Sequence, residues 1–248
     1  MLCLKFIAVA VAARGTIVRV AVGFVWMIFA FSATSAQAAP TARTVYLIRH
    51  GDYDVGAAGV GKDGPDLTAL GVAQARLTGA RLSGLQLPGT HLVTSTMSRA
   101  AETAGTINQS LIQLTLEYEP LLRECTPPGR SHDEGEEGVA CQMQLDAAFS
   151  KYFAPASSDH DKNYVLVCHG NVIRYFVMRA LGVDTRAWSN LRVAHASVTT
   201  IRIEPNGRVV VSTVGDVGHI PSDLQSDGAE PSHALVPIHA GQDFATGR

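Results

Sequence analysis

The sequence predicts an α/β fold, a three-layer α/β/α sandwich with a mostly parallel sheet and an antiparallel edge strand. Three observations carry this. Thr44 to Ile48 and Tyr164 to Cys168 are short apolar runs without alternation, the pattern of parallel strands covered on both faces. The stretches between such runs have helical spacing, so strands and helices alternate. Near the end of the chain, Ser197 to Ile203 and Arg208 to Thr213 are β-rich and joined by Pro205-Asn206-Gly207, a turn signal that closes the chain with a hairpin.

Taken in order, Thr44 to Ile48 is the first strand. Asp66-Leu67-Thr68 offers caps for a helix in which Leu67, Leu70, Ala73, Leu77, Ala80 and Leu82 recur at helical spacing, and Gly84 supplies its end. His91 to Ser95 reads as a strand leading into a helix from Ser98 to Leu111, and Leu114 to Tyr118 as a third strand. After a Pro-Pro-Gly loop come a helix from about Val139 to Phe153, the strand Tyr164 to Cys168 and the helix Val172 to Leu181.

The 248 residues are 46% hydrophobic and 17% charged, which excludes disordered, collagen-like and coiled-coil chains and leaves room for one core. Lys5, Arg14 and Arg19 precede the uncharged run Val20 to Phe31, and Ala36-Gln37-Ala38 follows; this order reads as a signal peptide over residues 1–38, cleaved after Ala38. The expected protein is exported, periplasmic or secreted, with an uncleaved membrane anchor as the alternative. Without that segment 17 basic residues face 22 acidic ones, a net charge of −5 that gives no support to a nucleic-acid partner. Residues 39–224 form the expected catalytic domain, and residues 225–248, rich in Ser, Gly, Pro, Ala and His without periodicity, the expected disordered tail.

Cys125, Cys141 and Cys168 are left after the leader. Cys168 reads as a buried strand residue. Cys125 and Cys141 either close a loop in an oxidising compartment or stay free, and the sequence leaves both open.

In open α/β sheets ligands sit beyond the carboxyl ends of the parallel strands. Three residue sets share that address: Arg49-His50-Gly51 after the first strand, Ser95 with Arg99 in the first turn of the next helix, and His169-Gly170-Asn171 after a later strand. Guanidinium groups bind phosphate oxygens bidentately, helix N-termini add backbone donors, and an imidazole can attack phosphorus if another group supplies the leaving-group proton. Two arginines and two histidines at one sheet edge therefore read as a phosphoryl pocket.

Leu47-Ile48-Arg49-His50-Gly51, Ser95-Thr96-Met97-Ser98-Arg99-Ala100-Ala101-Glu102-Thr103 and Cys168-His169-Gly170-Asn171-Val172-Ile173-Arg174 resemble the three signatures of the histidine phosphatase, or phosphoglycerate-mutase-like, superfamily. Leu121-Leu122-Arg123-Glu124, Asn171 to Tyr175, Pro205 to Arg208 and Gly215-Asp216 are most similar to its mitochondrial serine/threonine protein phosphatase branch. The resemblance implies that His50 is the nucleophile that becomes phosphohistidine, that Arg49, Arg99, His169 and Asn171 hold the phosphoryl group, and that Glu124 is the general acid. It implies no metal and no cofactor. His169 is followed by Gly170 rather than the Asp used as proton donor by the acid-phosphatase branch, which leaves that role to Glu124.

Departures bear on the substrate. Gly56 stands near the place where mutases carry an Asn, and only 44 residues separate Glu124 from His169, too few for the mutase insertion. Asp133, Glu134, Glu136 and Glu137 would repel a highly anionic sugar phosphate if they lined the pocket, but the favoured reading is a solvated loop. The expectation is a metal-independent phosphomonoesterase acting on phosphoprotein or small phosphoesters, with oligomeric state left open. The alternatives are a phosphohistidine phosphatase, a mutase-like phosphotransferase, or an inactive exported binding module.

Overall fold

The computed structural model describes residues 41–56, 61–85, 87–130, 135–158 and 162–227. The proposed leader, residues 1–38, and nearly all of the expected tail lie outside the described residues. Strands β1 (Arg43–Arg49), β2 (Thr90–Ser95), β3 (Leu116–Glu119), β4 (Asn163–Cys168), β5 (Val198–Ile203) and β6 (Val209–Asp216) form one sheet in the order β3-β2-β4-β1-β5-β6. The first four run parallel, while β5 is antiparallel to its neighbours β1 and β6. This is the predicted mixed sheet.

Its helices are α1 (Ala69–Ser83), α2 (Ser98–Asn108), α3 (Gly135–Tyr152) and α4 (Gly170–Ala180). Because side chains alternate along a strand, β1 and β4 send two sets of apolar groups to opposite faces. Val45, Leu47, Leu166 and Cys168 join Leu145 and Ala148 of α3 and Val172, Ile173 and Phe176 of α4. Ile48, Val165 and Val167 join Leu82 of α1 and Ala100, Ala104 and Ile107 of α2. Each fully buried Val, Leu, Ile or Phe among them contributes roughly 1.5–3 kcal/mol relative to exposure.

Element boundaries differ from expectation where local chemistry outweighs apolar periodicity. Thr68 caps α1 by accepting from the Gly71 amide, which fixes the start at Ala69. Helix α3 begins four residues before Val139, with Glu136 and Glu137 exposed in its first turn, where acidic groups suit the helix dipole. β3 is displaced toward Glu119, whose carboxylate accepts from the Leu121 amide and starts the 3₁₀ turn Pro120–Leu122. Cys125 and Cys141 are disulfide-bonded, tying the loop after that turn to α3, and Cys168 is free and buried. A 3₁₀ turn, Ser222–Leu224, and residues 225–227 pack against the body, so the segment read as tail begins with ordered chain.

Candidate active site

Register places the site. Arg49 of β1 pairs with Cys168 of β4, so the next residues, His50 and His169, leave the sheet side by side with ring centroids 5.1 Å apart. β2 ends at Ser95 beside β4, and α2 brings Arg99 back over the strand ends, where its Nε donates to His50 Nε2 at 3.1 Å. The loop after β1 is held by close backbone contact. A Cβ on Gly71 would lie 2.0 Å from the Asp52 carbonyl oxygen, and one on Gly51 would lie 2.6 Å from the Gly71 carbonyl oxygen. The Gly51 amide donates to Thr103 Oγ1 and the Asp52 amide to Gln74 Oε1, so the buried backbone donors of the turn are satisfied.

His50 is almost fully buried, and its tautomer is fixed by its partners. Its Nδ1 lies 2.8 Å from the Gly51 carbonyl oxygen, which can only accept, so Nδ1 carries the proton. Nε2 therefore holds the lone pair, which receives the Arg99 N–H. Burial, then His169, Arg49 and Arg99, hold the ring well below the usual histidine range and keep it neutral. His169, likewise held neutral by burial and by Arg99 and Arg49, contacts Ser95 Oγ at 2.9 Å through Nε2. Its Nδ1 is buried without a hydrogen-bond partner, as is Arg49 Nε. Arg49 is fixed through Nη1, which donates to the carbonyl oxygens of Val193 (2.7 Å) and Asp227 (2.6 Å); burial lowers its pKa to about 10.

Glu124 is 25% exposed and reaches the same pocket, its Oε2 3.8 Å from His169 Nδ1. Burial raises its pKa, opposed by Arg99 and Arg49 and by the Asn171 amide, which donates to Oε1. The Asn171 side chain donates to the Cys125 carbonyl oxygen and accepts from Arg174. Through these contacts Asn171 positions the Glu124 loop. Gln144 of α3 adds two donor bonds, to the Leu121 and Arg123 carbonyl oxygens of that loop. The other carboxylates near the first motif are engaged elsewhere: Asp52 accepts from Thr68 and Ser226, and exposed Asp54 accepts from the Gly56 amide.

Donor atoms of His50, Glu124 and His169 lie within 4.8 Å of one another, a spacing compatible with a metal ion. Two guanidinium groups border the cluster, and one already donates to His50 Nε2, which favours an anion over a cation.

Two residues here escaped the sequence reading. Tyr53 stands edge-on to His50 at 5.0 Å and carries the Arg99 guanidinium on its ring face at 4.8 Å. His195 packs against His50 at 5.4 Å and is buried, although it follows no parallel strand. The signal available for His195 was its place just before β5, the strand that pairs with β1.

The chain is 39% identical over 193 residues to the mitochondrial serine/threonine-protein phosphatase PGAM5 of Rattus norvegicus and of Homo sapiens, over 75% of this chain and 66% of each relative. It therefore spans slightly less than two thirds of their length. Phosphoglycerate mutases of Plasmodium falciparum (29% identity, TM-score 0.53) and Bacillus anthracis (21%, TM-score 0.59) share the fold, each covering 73% of this chain and 96% of theirs.

These relatives overturn the expectation of an exported protein with a secretory signal peptide. Those of rat, human and Drosophila melanogaster are all named mitochondrial. The misreading has a physical source: basic residues without Asp or Glu are common to secretory leaders and mitochondrial transit segments. Among the described residues no helix is long and apolar enough to cross a membrane. A family model for the histidine phosphatase superfamily, branch 1, matches residues 45–127 and 126–215, and the chain belongs to that superfamily.

Proposed function

We propose that this chain is a metal-independent phosphomonoesterase that works through a phosphohistidine on His50. The observation that carries the reading is the neutral His50 ring, with its proton locked on Gly51 and its Nε2 lone pair facing Arg99. A lone pair held in a pocket lined by two guanidinium groups suits attack on a phosphorus whose oxygens those groups neutralise.

In the first step His50 Nε2 bonds to phosphorus and the P–O bond to the leaving group breaks. Glu124, whose raised pKa favours the acid form, passes its proton to the departing oxygen. In the second step Glu124 takes a proton from water as that water attacks the phosphohistidine, and the N–P bond breaks to return neutral His50. Arg49, Arg99 and His169 surround the phosphoryl oxygens. The names of the relatives support phosphoserine or phosphothreonine in protein as substrate and a mitochondrial location.

Hydrolysis of p-nitrophenyl phosphate by the full chain, with acid-labile phosphate trapped on the wild type and absent from His50→Ala, tests the mechanism. Full activity in His50→Ala, or complete loss of activity with a chelator, overturns it. A binding module would have no use for a proton-bearing carboxyl beside a nucleophile, so the catalytic reading is preferred.

A further inference from the structure

His195 is not explained by the chemistry above, yet the fold invests several contacts in its position. Its backbone amide donates to the Ser226 carbonyl oxygen at 2.8 Å, and its Nδ1 lies 2.9 Å from Ser226 Oγ and 3.4 Å from Asp52 Oδ1. The next residue, Ala196, has φ 52°, a left-handed conformation that a non-glycine residue adopts against steric cost. The ring therefore lies beside His50 in a strained turn, clamped by the C-terminal segment.

The hydrogen bonds around Ser226 fix the His195 tautomer. Ser226 Oγ receives an N–H from Gln74 Nε2 and gives its own proton to Asp52 Oδ1, which can only accept. The proton between His195 and Ser226 then belongs to His195 Nδ1. Nε2, across the ring, keeps a lone pair, is buried and has no hydrogen-bond partner.

We propose that His195 is a further phosphate-binding residue: when a tetrahedral oxyanion occupies the pocket, Nε2 takes one proton from solvent and donates it as a hydrogen bond to an oxyanion oxygen, while Asp52 balances the imidazolium through the Nδ1 side. The proposal rests on the phosphatase reading of the pocket. The groups facing the ring are Asp52, Tyr53, His50 and Arg49 from β1 and its following loop, Arg99 from α2, and Ser226 from the C-terminal segment. Burial, then Arg49 and Arg99, lower the His195 pKa to about 3. An anion neutralises both guanidinium charges and supplies an acceptor for the new N–H, so two of the three causes are reversed and an attractive contact is added. The pocket thereby gains a third cationic donor only when it is filled.

Sulfate is the probe, a tetrahedral dianion with no proton to exchange at about pH 6, where a histidine is free to titrate. Calorimetric titration of the full chain in buffers of different ionisation enthalpy counts the protons taken up, and imidazole ¹⁵N spectra locate them, with the His195 signals identified by their loss in His195→Gln. The expected result is proton uptake with His195 converted to imidazolium. His195→Leu should bind sulfate about tenfold more weakly, as loss of one charge-assisted hydrogen bond implies, and His195→Gln should bind without the His195 share of the uptake. Absence of sulfate binding, or a His195 ring that stays neutral in the sulfate-saturated wild type, overturns the proposal whatever the variants do. Turnover is measured separately: activity with a neutral His195 sinks this proposal alone, whereas a protonated His195 in a protein without turnover sinks the phosphatase reading alone.

Discussion

Arg99 Nε donates to His50 Nε2 across 3.1 Å, so the arginine marks the lone pair that the proposed mechanism aims at phosphorus. That contact holds the imidazole in place, and in the proposed mechanism the same guanidinium neutralises the phosphoryl oxygens. Arg99→Ala removes transition-state charge stabilisation whatever group departs. It is expected to slow phosphoserine and p-nitrophenyl phosphate by similar factors, on the order of 10²- to 10³-fold, the scale of losing one preorganised donor. Steady-state rates on both substrates check this, and a loss confined to one of them sinks it.

Glu124→Gln should behave in the opposite way. A poor leaving group such as the serine alkoxide needs its proton, whereas p-nitrophenolate leaves with little help, so the loss on phosphoserine should exceed that on p-nitrophenyl phosphate by up to about 10²- to 10⁴-fold. The glutamine keeps the acceptor for the Asn171 amide, which limits the change to the proton itself. Equal losses on both substrates would show that Glu124 only positions its neighbours.

The parts of this site that were legible in the sequence are those that leave parallel strands. Arg49 ends β1, His50 and His169 follow β1 and β4, and the topology rule for α/β sheets points to those positions. His195 was hidden because it precedes an antiparallel strand, where that rule is silent. Ser226 and Asp227 were hidden because single hydrogen bonds, here to His195, Asp52 and Arg49, leave no periodicity in a Ser- and Asp-rich stretch. For Asn171 only half was visible: its place after β4 shows in sequence, but the loop its side chain grips belongs to Cys125, 46 residues away. The disulfide resolved the choice that composition left open.

Acid should destabilise the fold before the ordinary carboxylates titrate. His50, His169 and His195 are neutral when folded, with pKa values below the ordinary 6.5, while in the unfolded chain they are ordinary histidines. Above pH 6.5 both states are neutral and the shifts contribute nothing. Below it the unfolded state binds more protons, and each group removes about 1.4 kcal/mol of stability per pH unit until its folded pKa is reached, about 3 for His195. Glu124 works in the opposite direction, because its raised pKa lets the folded state bind a proton first. His219, also held low by burial, adds to the three, and with four histidines against Glu124 Tm should fall between pH 6.5 and 4.5, and sulfate should lessen the fall. A Tm that is flat across that window contradicts the assignment of neutral buried rings.

Reduction of the Cys125–Cys141 disulfide should weaken both stability and the acid step. The bond closes a loop with a sequence separation of 16 and anchors the residue next to Glu124 to α3. Chain-entropy reasoning gives about 3 kcal/mol for a loop of this size. Turnover of phosphoserine should drop more than that of p-nitrophenyl phosphate, because a looser Glu124 loop impairs proton delivery while His50, Arg49 and Arg99 sit on other elements. Denaturation and two-substrate assays of Cys125→Ser/Cys141→Ser check both parts, and an unchanged substrate ratio would confine the bond to stability.

Gly71→Ala sets two effects of opposite sign against each other. Within a helix the change ordinarily stabilises by roughly 0.5–1 kcal/mol. Here the new Cβ would meet the Asp52 carbonyl oxygen at 2.0 Å and the Asp52 amide nitrogen at 2.9 Å, both backbone atoms of the turn that carries His50 and Gly51. Backbone cannot rotate away as a side chain can, so α1 and the turn must separate. Overpacking of this kind typically costs about 1–3 kcal/mol, which exceeds the propensity gain. The separation also strains the Asp52 amide bond to Gln74 Oε1 and displaces His50 from the Arg99 donor, so activity should fall along with Tm. Gly79→Ala, on the same helix but facing Ser110 and Ile107, is the control. It should alter stability without changing the rate per folded molecule, and equal rate losses in the two variants would show that contact between α1 and the turn does not set the geometry of His50.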